Sequence, residues 1–569
     1  MPTVTAHWMC DLAARTRRWI TQQMILIAIA LLAAIAPVLA FDDGEQFRER
    51  LLIRPLPDHN VLLHFDFNMT IDRLLDPDDE HYRFFPKSIA QIITKHQVGE
   101  FVLKLTQGRW RYAHWGLPVV PAPTGAELIA WVHRHDSDPT VGSQRWSGVQ
   151  QSLSGMLCAS LQQLGKNVHT CRRVPDSAIA PESRPVFVNT STHETFYGVL
   201  PREAVCTENL TPWAKLLPCR TRGGLGRLLS PLDLHDASYH SMGIHVYSET
   251  NANNEQRTIA RFFLSVVLDP TYLYRSKVWS LRSLLPHATL PMQCSPVSTE
   301  CEVHFDAVNA INANGATPGL TTPVPIRRTG NVLVFDPTDF DLSFDPGHEY
   351  LAKFPVRDTP IVVQRYATGR GLQSGGIVNT VVNSGSVARN VTLFDTLPWY
   401  FRVYFHTLSM TINGSVIEPS FMSFQPARQD SSPSMITIEV EIPPMSTCLI
   451  SMQYDKVFLP IKDFPPDVAR GFDLGPAVVN VAPNGPRLYT ESLIVLFPGP
   501  DMSMPFNVIA FTSTFLAFFF GTMFNVLYRH PTELSSRERG GLLVKLIRFL
   551  IGKGKAIVAS LKDDKIKQR

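Results

Sequence analysis

The chain runs to 569 residues, 44% of them hydrophobic and 10% aromatic, which supplies cores for two or more domains and excludes a largely disordered polypeptide. The net charge of +3 hides a split: residues 529–569 hold eleven Lys/Arg against four Asp/Glu, and residues 1–40 hold three Arg against one Asp. The stretch between them is acidic, which excludes a nucleic-acid-binding body.

Arg15, Arg17 and Arg18 precede an apolar run from Met24 to Ala36 and then Val38-Leu39-Ala40, the pattern of a secretory signal over residues 1–40. An uncleaved anchor is the alternative, and either one delivers the following residues to a lumen. Val61 to Ile71 alternates cleanly, which predicts a half-buried strand with the Asn68 sequon on its wet face. Pro86 to Ile93 has helical spacing behind a first-turn proline. Phe101, Leu103 and Leu105 resume strand alternation, and Gly125 to Trp131 and Trp146 to Leu164 read as further helix. Residues 41–185 are therefore expected to form a mixed α/β module.

Cys206-Thr-Glu-Asn209-Leu-Thr211-Pro-Trp213 sets a cysteine beside a glycan acceptor, two features of a secretory compartment. A sugar on Asn209 would hold this segment at the surface and make Cys206 a candidate intermolecular thiol. Strand signals dominate from here, at Ile259–Leu268, Val332–Phe335, Ile361–Tyr366, Val391–Leu393 and Tyr400–Leu408. Ile436 to Ile442 and Leu449 to Tyr454 flank Pro443-Pro444-Met-Ser and read as a β-hairpin. Frequent Pro and Gly between short strands favour antiparallel sandwiches: a β-rich module over 186–350 and a β-sandwich over 351–495.

Residues 496–503, with Phe497-Pro-Gly-Pro500, form a stiff stalk. No charged residue interrupts the chain between Asp501 and Arg529, so 504–528 is long and apolar enough to span a bilayer. The basic tail 529–569 sets a type I orientation with the bulk of the chain luminal. Leu542 to Ile551 is too short to span and reads as an interfacial amphipathic helix. Within the span Asn507, Thr514, Gly521 and Asn525 form one small or polar stripe suited to packing against other membrane helices. Lys565 and Lys567, fifth and third from the end, have the spacing of a dilysine retrieval signal. Sequons occur at Asn68, Asn189, Asn209, Asn390 and Asn413, all within the luminal body.

Seven of the eight cysteines lie beyond residue 40: Cys158, Cys171, Cys206, Cys219, Cys294, Cys301 and Cys448. An odd number cannot all pair internally. Cys294 and Cys301 are close enough in sequence to staple one loop, and a Cys206–Cys219 bridge is the alternative to an intermolecular role for Cys206.

Catalytic and metal constellations do not emerge. His193-Glu-Thr-Phe-Tyr197 starts like a zincin helix but has Tyr where the second histidine ligand belongs. Gly371-Leu-Gln-Ser374-Gly375 has the wrong spacing for a nucleophile elbow, and Gly369 to Gly376 lacks the Lys-Ser/Thr of a phosphate loop. The sequence around Cys206 lacks a caspase-type nucleophile pattern, and Asp76, Asp78, Asp79 and Glu80 read as a solvated loop. No cofactor is expected.

His81-Tyr-Arg-Phe-Phe-Pro-Lys87, Thr106-Gln-Gly108-Arg-Trp110, Trp115-Gly116, Gly125-Ala-Glu-Leu128, Leu200-Pro-Arg-Glu203, Val205-Cys-Thr-Glu-Asn-Leu-Thr-Pro-Trp213, Leu216-Leu-Pro-Cys219 and Ser503-Met-Pro-Phe-Asn507 together resemble the PIG-T family, non-catalytic subunits of the glycosylphosphatidylinositol (GPI) transamidase. The resemblance covers most of the chain and is weakest over about 230–330. It implies a complex of the endoplasmic-reticulum membrane that cleaves a C-terminal signal from precursor proteins and joins the new carboxyl end to a GPI lipid. It further implies a caspase-like catalytic partner, PIG-K, bound through a disulfide at the position of Cys206, alongside the other membrane subunits. The competing expectations are a type I surface glycoprotein with β-sandwich adhesion domains, or a luminal hydrolase whose catalytic set is assembled from distant residues.

Overall fold

The computed structural model describes residues 44–175, 192–250, 256–288, 360–464, 470–499 and 503–528, each with at most a few omissions, together with Cys294, short strands between 300 and 345, and three residues near 550. The signal segment, Asn189, Lys565 and Lys567 lie outside the described residues.

The first layer is an eleven-stranded sheet. Its strands in chain order are β1 (Glu45–Pro55), β2 (Val61–Ile71), β3 (Val98–Gln107), β4 (Gly125–His133), β5 (Thr170–Arg172), β6 (His193–Leu200), β7 (Tyr239–Thr250) and β8 (Gln256–Leu268). After β9 (Trp279–Ser280) come β10 (Glu300–Asp306), β11 (Leu320–Thr321), β12 (Arg327–Thr329), β13 (Val332–Phe335) and β14 (Ser343–Phe344). The spatial order is β12-β13-β10-β1-β2-β8-β7-β3-β4-β6-β5, and β9, β11 and β14 make a small separate sheet. All pairings in the large sheet are antiparallel except β1 with β10.

Residue 186 is no boundary in this sheet: β7 and β8, from beyond it, are hydrogen-bonded between β2 and β3, from before it. The expected modules 41–185 and 186–350 thus share one sheet, because strands that close it arrive late in the chain.

Alternate residues of β2, β3, β4, β7 and β8 (Phe65, Phe67, Leu103, Leu128, Ile244, Phe262, Leu264) face a core covered by helices α1 (Lys87–His96), α2 (Thr140–Leu157) and α3 (Thr207–Lys215). This is the α/β part. Gly125–Trp131 is strand β4 rather than helix, with Leu128 and Ala130 on the helix side and Ile129 and Trp131 on the other. A strand buried on both faces loses the polar half of its alternation, which is why it read as helix. β2 keeps its alternation and is a strand as expected, but it is not half-buried: its second face buries His64 and Asp66 instead of wetting them.

The second part is a sandwich of two five-stranded sheets. Its strands are β15 (Ile361–Thr368), β16 (Ser374–Asn383), β17 (Arg389–Leu397), β18 (Phe401–Ile412), β19 (Ser415–Val416), β20 (Phe421–Gln425), β21 (Ser434–Ile442), β22 (Ser446–Lys456), β24 (Val478–Ala482) and β25 (Arg487–Tyr489), with β23 (Phe472–Leu474) and β26 (Leu493–Val495) as a side ribbon. One sheet has the order β15-β16-β22-β18-β19 and the other β20-β21-β17-β24-β25.

The expected hairpin at Pro443-Pro444 is therefore corrected. β21 pairs with β17 and β20, and β22 with β16 and β18, so the turn is an arch from one sheet to the other. Ile436, Ile438 and Val440 meet Ile450, Met452 and Tyr454 across the core instead of along a shared edge. The sandwich packs on the outer face of the large sheet, where Trp131, Tyr197 and Val199 meet Phe394, Met435, Val478 and Tyr489. Buried Lys104 and Glu127 pair at 2.9 Å in this contact, and the Tyr489 hydroxyl donates to Glu127 at 2.9 Å.

A separate unit follows Pro498. Its helix α4 (Ser503–Tyr528) is, among the described residues, the one helix long and apolar enough to cross a membrane, with mean hydropathy 1.6 over Met504–Tyr528.

Candidate functional site: the thiol at the start of α3

Helix α3 lies on the large sheet through Leu210, Trp213 and Ala214, and the Trp213 indole Nε1 donates to the Gly243 carbonyl at 3.2 Å. Cys206 is its N-cap, in extended conformation (φ −141°, ψ −177°), and is half-buried.

One side chain builds this corner. Asn209 is 1% exposed, and its Oδ1 accepts the Cys206 backbone N–H at 2.8 Å, as in a capping box. Its Nδ2 donates to the carbonyls of Leu157 at 2.9 Å and Cys158 at 3.0 Å. These are the last carbonyls of α2, which no helical N–H can reach, and Cys158 turns out of the helix with φ +53°. Asn209 thus fastens the start of α3 to the end of α2.

The expected glycan at Asn209 is corrected by the same contacts. A sugar would attach at Nδ2, which is enclosed and already donating twice. Thr211, the hydroxyl position of the sequon, donates to the Thr207 carbonyl at 3.0 Å. The residue that looked like a surface marker is an internal fastener.

Cys294 is bonded to Cys219 rather than to Cys301, across a sequence separation of 75 and with Cα atoms 6.1 Å apart. Cys301 instead lies on β10 opposite Glu49 of β1, and its thiol hydrogen-bonds the Glu49 carboxylate. Proximity in sequence did not become a bond: strand pairing fixes Cys301 opposite Glu49, and Cys219 takes Cys294. The Cys219–Cys294 bond also removes Cys219 as a partner for Cys206. Cys171 and Cys448 are buried, and burial pushes both thiols up from their ordinary range. Cys206 and Cys158, joined through Asn209, are left as the accessible pair at this corner, half-buried and exposed respectively.

Other expected site residues are dispersed. Asn68 is half-buried in the middle of β2, between Arg48 and Arg261 on the neighbouring strands. Asn390, at the start of β17, and Asn413, in the turn after β18, are exposed. Asn507, Thr514, Gly521 and Asn525 lie exposed along α4, and the Thr514 hydroxyl donates to Ala510 of its own helix at 2.7 Å. His193-Glu-Thr-Phe-Tyr197 is strand β6, with Glu194 held by Arg172 at 2.6 Å and Arg173 at 2.7 Å, and Asp78 lies in a turn at the surface. Sequence reasoning missed the role of Asn209, because Cys at the N-cap with Asn three residues on departs from the Ser/Thr and Glu/Gln pattern of a capping box.

Fold and site together define a class: a β-sheet and sandwich protein with, among the described residues, one candidate membrane helix, holding a half-buried thiol at a fastened helix start. The chain belongs to the Gpi16 family, whose model, described as Gpi16 subunit, GPI transamidase component, matches residues 28–301 and 270–550. It is 32% identical over 580 residues to the Homo sapiens GPI-anchor transamidase component PIGT, covering 93% of this chain and 97% of that one. Identity is 33% to the Mus musculus counterpart, over 89% of this chain and 93% of that one. It is 28% to the Schizosaccharomyces pombe PIG-T homolog, over 90% and 95%. This membership displaces the surface-adhesion reading.

Proposed function

We propose that the chain is the non-catalytic structural subunit of GPI transamidase, holding a caspase-like catalytic subunit, PIG-K, by a disulfide from Cys206 while that partner attaches GPI lipid to precursor proteins. The observation that carries this reading is the state of Cys206: capped onto α3, half-buried, and left without Cys219, which is bonded to Cys294. A covalent link raises the effective concentration of the partner and prevents its dissociation without adding chemistry. The complex resides in the endoplasmic-reticulum membrane, with the sheet and sandwich luminal, α4 spanning, and Lys565 and Lys567 as the retrieval address. Asn390 and Asn413, both exposed, are acceptors open to glycosylation, Asn189 is a further acceptor, and half-buried Asn68 is the less accessible. Asn507, Thr514, Gly521 and Asn525 pack against the other membrane subunits, so replacing all four with Leu reduces co-purification of those subunits.

The test is affinity purification of the full chain and its Cys206→Ser and Cys158→Ser variants, run on reducing and non-reducing gels. A reducible adduct containing a caspase-like subunit, lost in Cys206→Ser and retained in Cys158→Ser, supports the reading. An adduct lost only with Cys158→Ser moves the link by one thiol, and absence of the subunit from every purification overturns the assignment.

A further inference from the structure

The end of the sandwich from which the chain leaves toward α4 carries an apolar rim. Tyr400, Phe401, Phe472 and Phe497 form a closed aromatic group there, with Tyr400 to Phe472 at 4.9 Å, Tyr400 to Phe497 at 5.4 Å and Phe401 to Phe497 at 5.2 Å between ring centres. Two segments border it. Along β26 and its continuation, Val495 and Phe497 turn inward while Ile494 and Leu496 turn outward, 55% and 52% exposed. The other segment is tied to the group by the Val457 N–H donating to the Tyr400 carbonyl at 3.1 Å; it buries Leu459 and turns Phe458 and Ile461 outward, 74% and 60% exposed. An edge ribbon facing water alternates apolar with polar residues. Here the outward positions are apolar too.

What covers this rim follows from chain length. Between Phe497 and Ser503, the first residue of α4, stand Pro498, Gly499, Pro500, Asp501 and Met502, a tether that reaches at most roughly 20 Å. Connectivity alone therefore keeps Phe497 within that reach of Ser503. The sequons supply an independent observation. β18 runs from Phe401 at the rim to the turn that carries Asn413, and its partner β22 covers that span from Lys456 to Cys448, roughly 27 Å. Asn390 pairs with Glu441 beside the Pro443-Pro444 arch at that same far end. Both exposed acceptors of the sandwich are thus at the end opposite the rim, where a bulky hydrophilic sugar leaves it unobstructed.

We propose that Phe458, Ile461, Ile494 and Leu496 are immersed in the headgroup and upper acyl region of the bilayer that α4 enters, docking the sandwich on the lipid surface. The occupant is lipid: these four outward side chains are apolar and enter the apolar boundary, and the same segment carries Lys456 and Lys462, residue types suited to the headgroup level. The proposal rests on reading α4 as a membrane span, and the test separates the two.

A photo-activatable benzophenone amino acid is placed singly at Phe458, Leu496, Phe518 within α4, or Val416 in β19 at the far end of the sandwich. The full chain is expressed in its native membranes with its partners and irradiated, and adducts are sorted into lipid and protein by mass spectrometry. The expected result is lipid adducts at Phe458 and Leu496, several-fold above Val416, together with Phe518. Lipid adducts at Phe518 alone overturn the docking and leave the span intact. Protein adducts at Phe458 and Leu496 overturn it in favour of a subunit seated on the rim. No lipid adduct at Phe518 overturns the span and the docking with it. All four positions are exposed, so the probes do not compromise the fold.

Discussion

The Asn209 carboxamide closes two helix ends with one group, so its loss leaves orphan carbonyls at α2 and an orphan N–H at Cys206. Asn209→Ala is expected to cost about 2–3 kcal/mol of stability, read by denaturant unfolding, and to weaken any adduct formed through Cys206. Thr211→Ala destroys the sequon and is expected to leave the glycosidase-sensitive gel shift unchanged; a faster-migrating Thr211→Ala chain would contradict the enclosed position of Nδ2. Glu49 lies on the core face of β1, where burial pushes its carboxyl from 4.5 up to about 7 against the opposing hydrogen bonds of the Cys301 thiol and the Leu225 backbone N–H. Between those pH values the folded chain holds a proton that the unfolded chain releases, so this group's contribution to stability falls as pH rises through the window. Glu49→Gln should flatten that slope and stabilise the chain at pH 8 by up to about 3 kcal/mol, measured by unfolding at pH 5 and pH 8. The legible part of the site was Cys206 itself. Its partnerships were not legible, because a sequon and a capping Asn are the same residue type in the same place.

Strands β15 and β17 belong to opposite sheets of the sandwich and are joined through its interior by Arg365 and Asp395, both fully buried, with both carboxylate oxygens 2.8 Å from Nη2. Arg365→Met leaves Asp395 without its charge partner and is expected to cost about 3–5 kcal/mol, whereas Arg365→Met with Asp395→Leu should cost much less. Equal losses in the single and double variants would show that shape, not charge, matters at this position. Alternation located five of the ten sandwich strands, β15, β17, β18, β21 and β22, since segments such as Ile436 to Ile442 and Leu449 to Tyr454 each bury one face. It could not assign them to sheets, because two strands that face each other across a core carry the same pattern as two that share an edge. For β4, buried on both faces, the pattern itself was lost.

Across the whole molecule, the sheet and the sandwich meet through an apolar contact pinned by Lys104, Glu127 and Tyr489. Tyr489→Phe removes the donor to Glu127 and should lower stability by about 1–3 kcal/mol while leaving any Cys206 adduct intact, which separates the sandwich contact from the thiol corner. The α/β and sandwich halves were legible from composition and strand spacing. The continuity of the large sheet was not, because its pairings join residues far apart in sequence, and local patterns carry no such information. That same remoteness sets a clock. β1 emerges from the ribosome roughly 250 residues before β10, the strand that covers its free edge, an interval of roughly 10–50 s at ordinary translation speed. For that time the nascent chain displays an open, sticky strand edge, so the large sheet is completed by the tempo of synthesis and whatever shields the chain meanwhile, not by its first half alone.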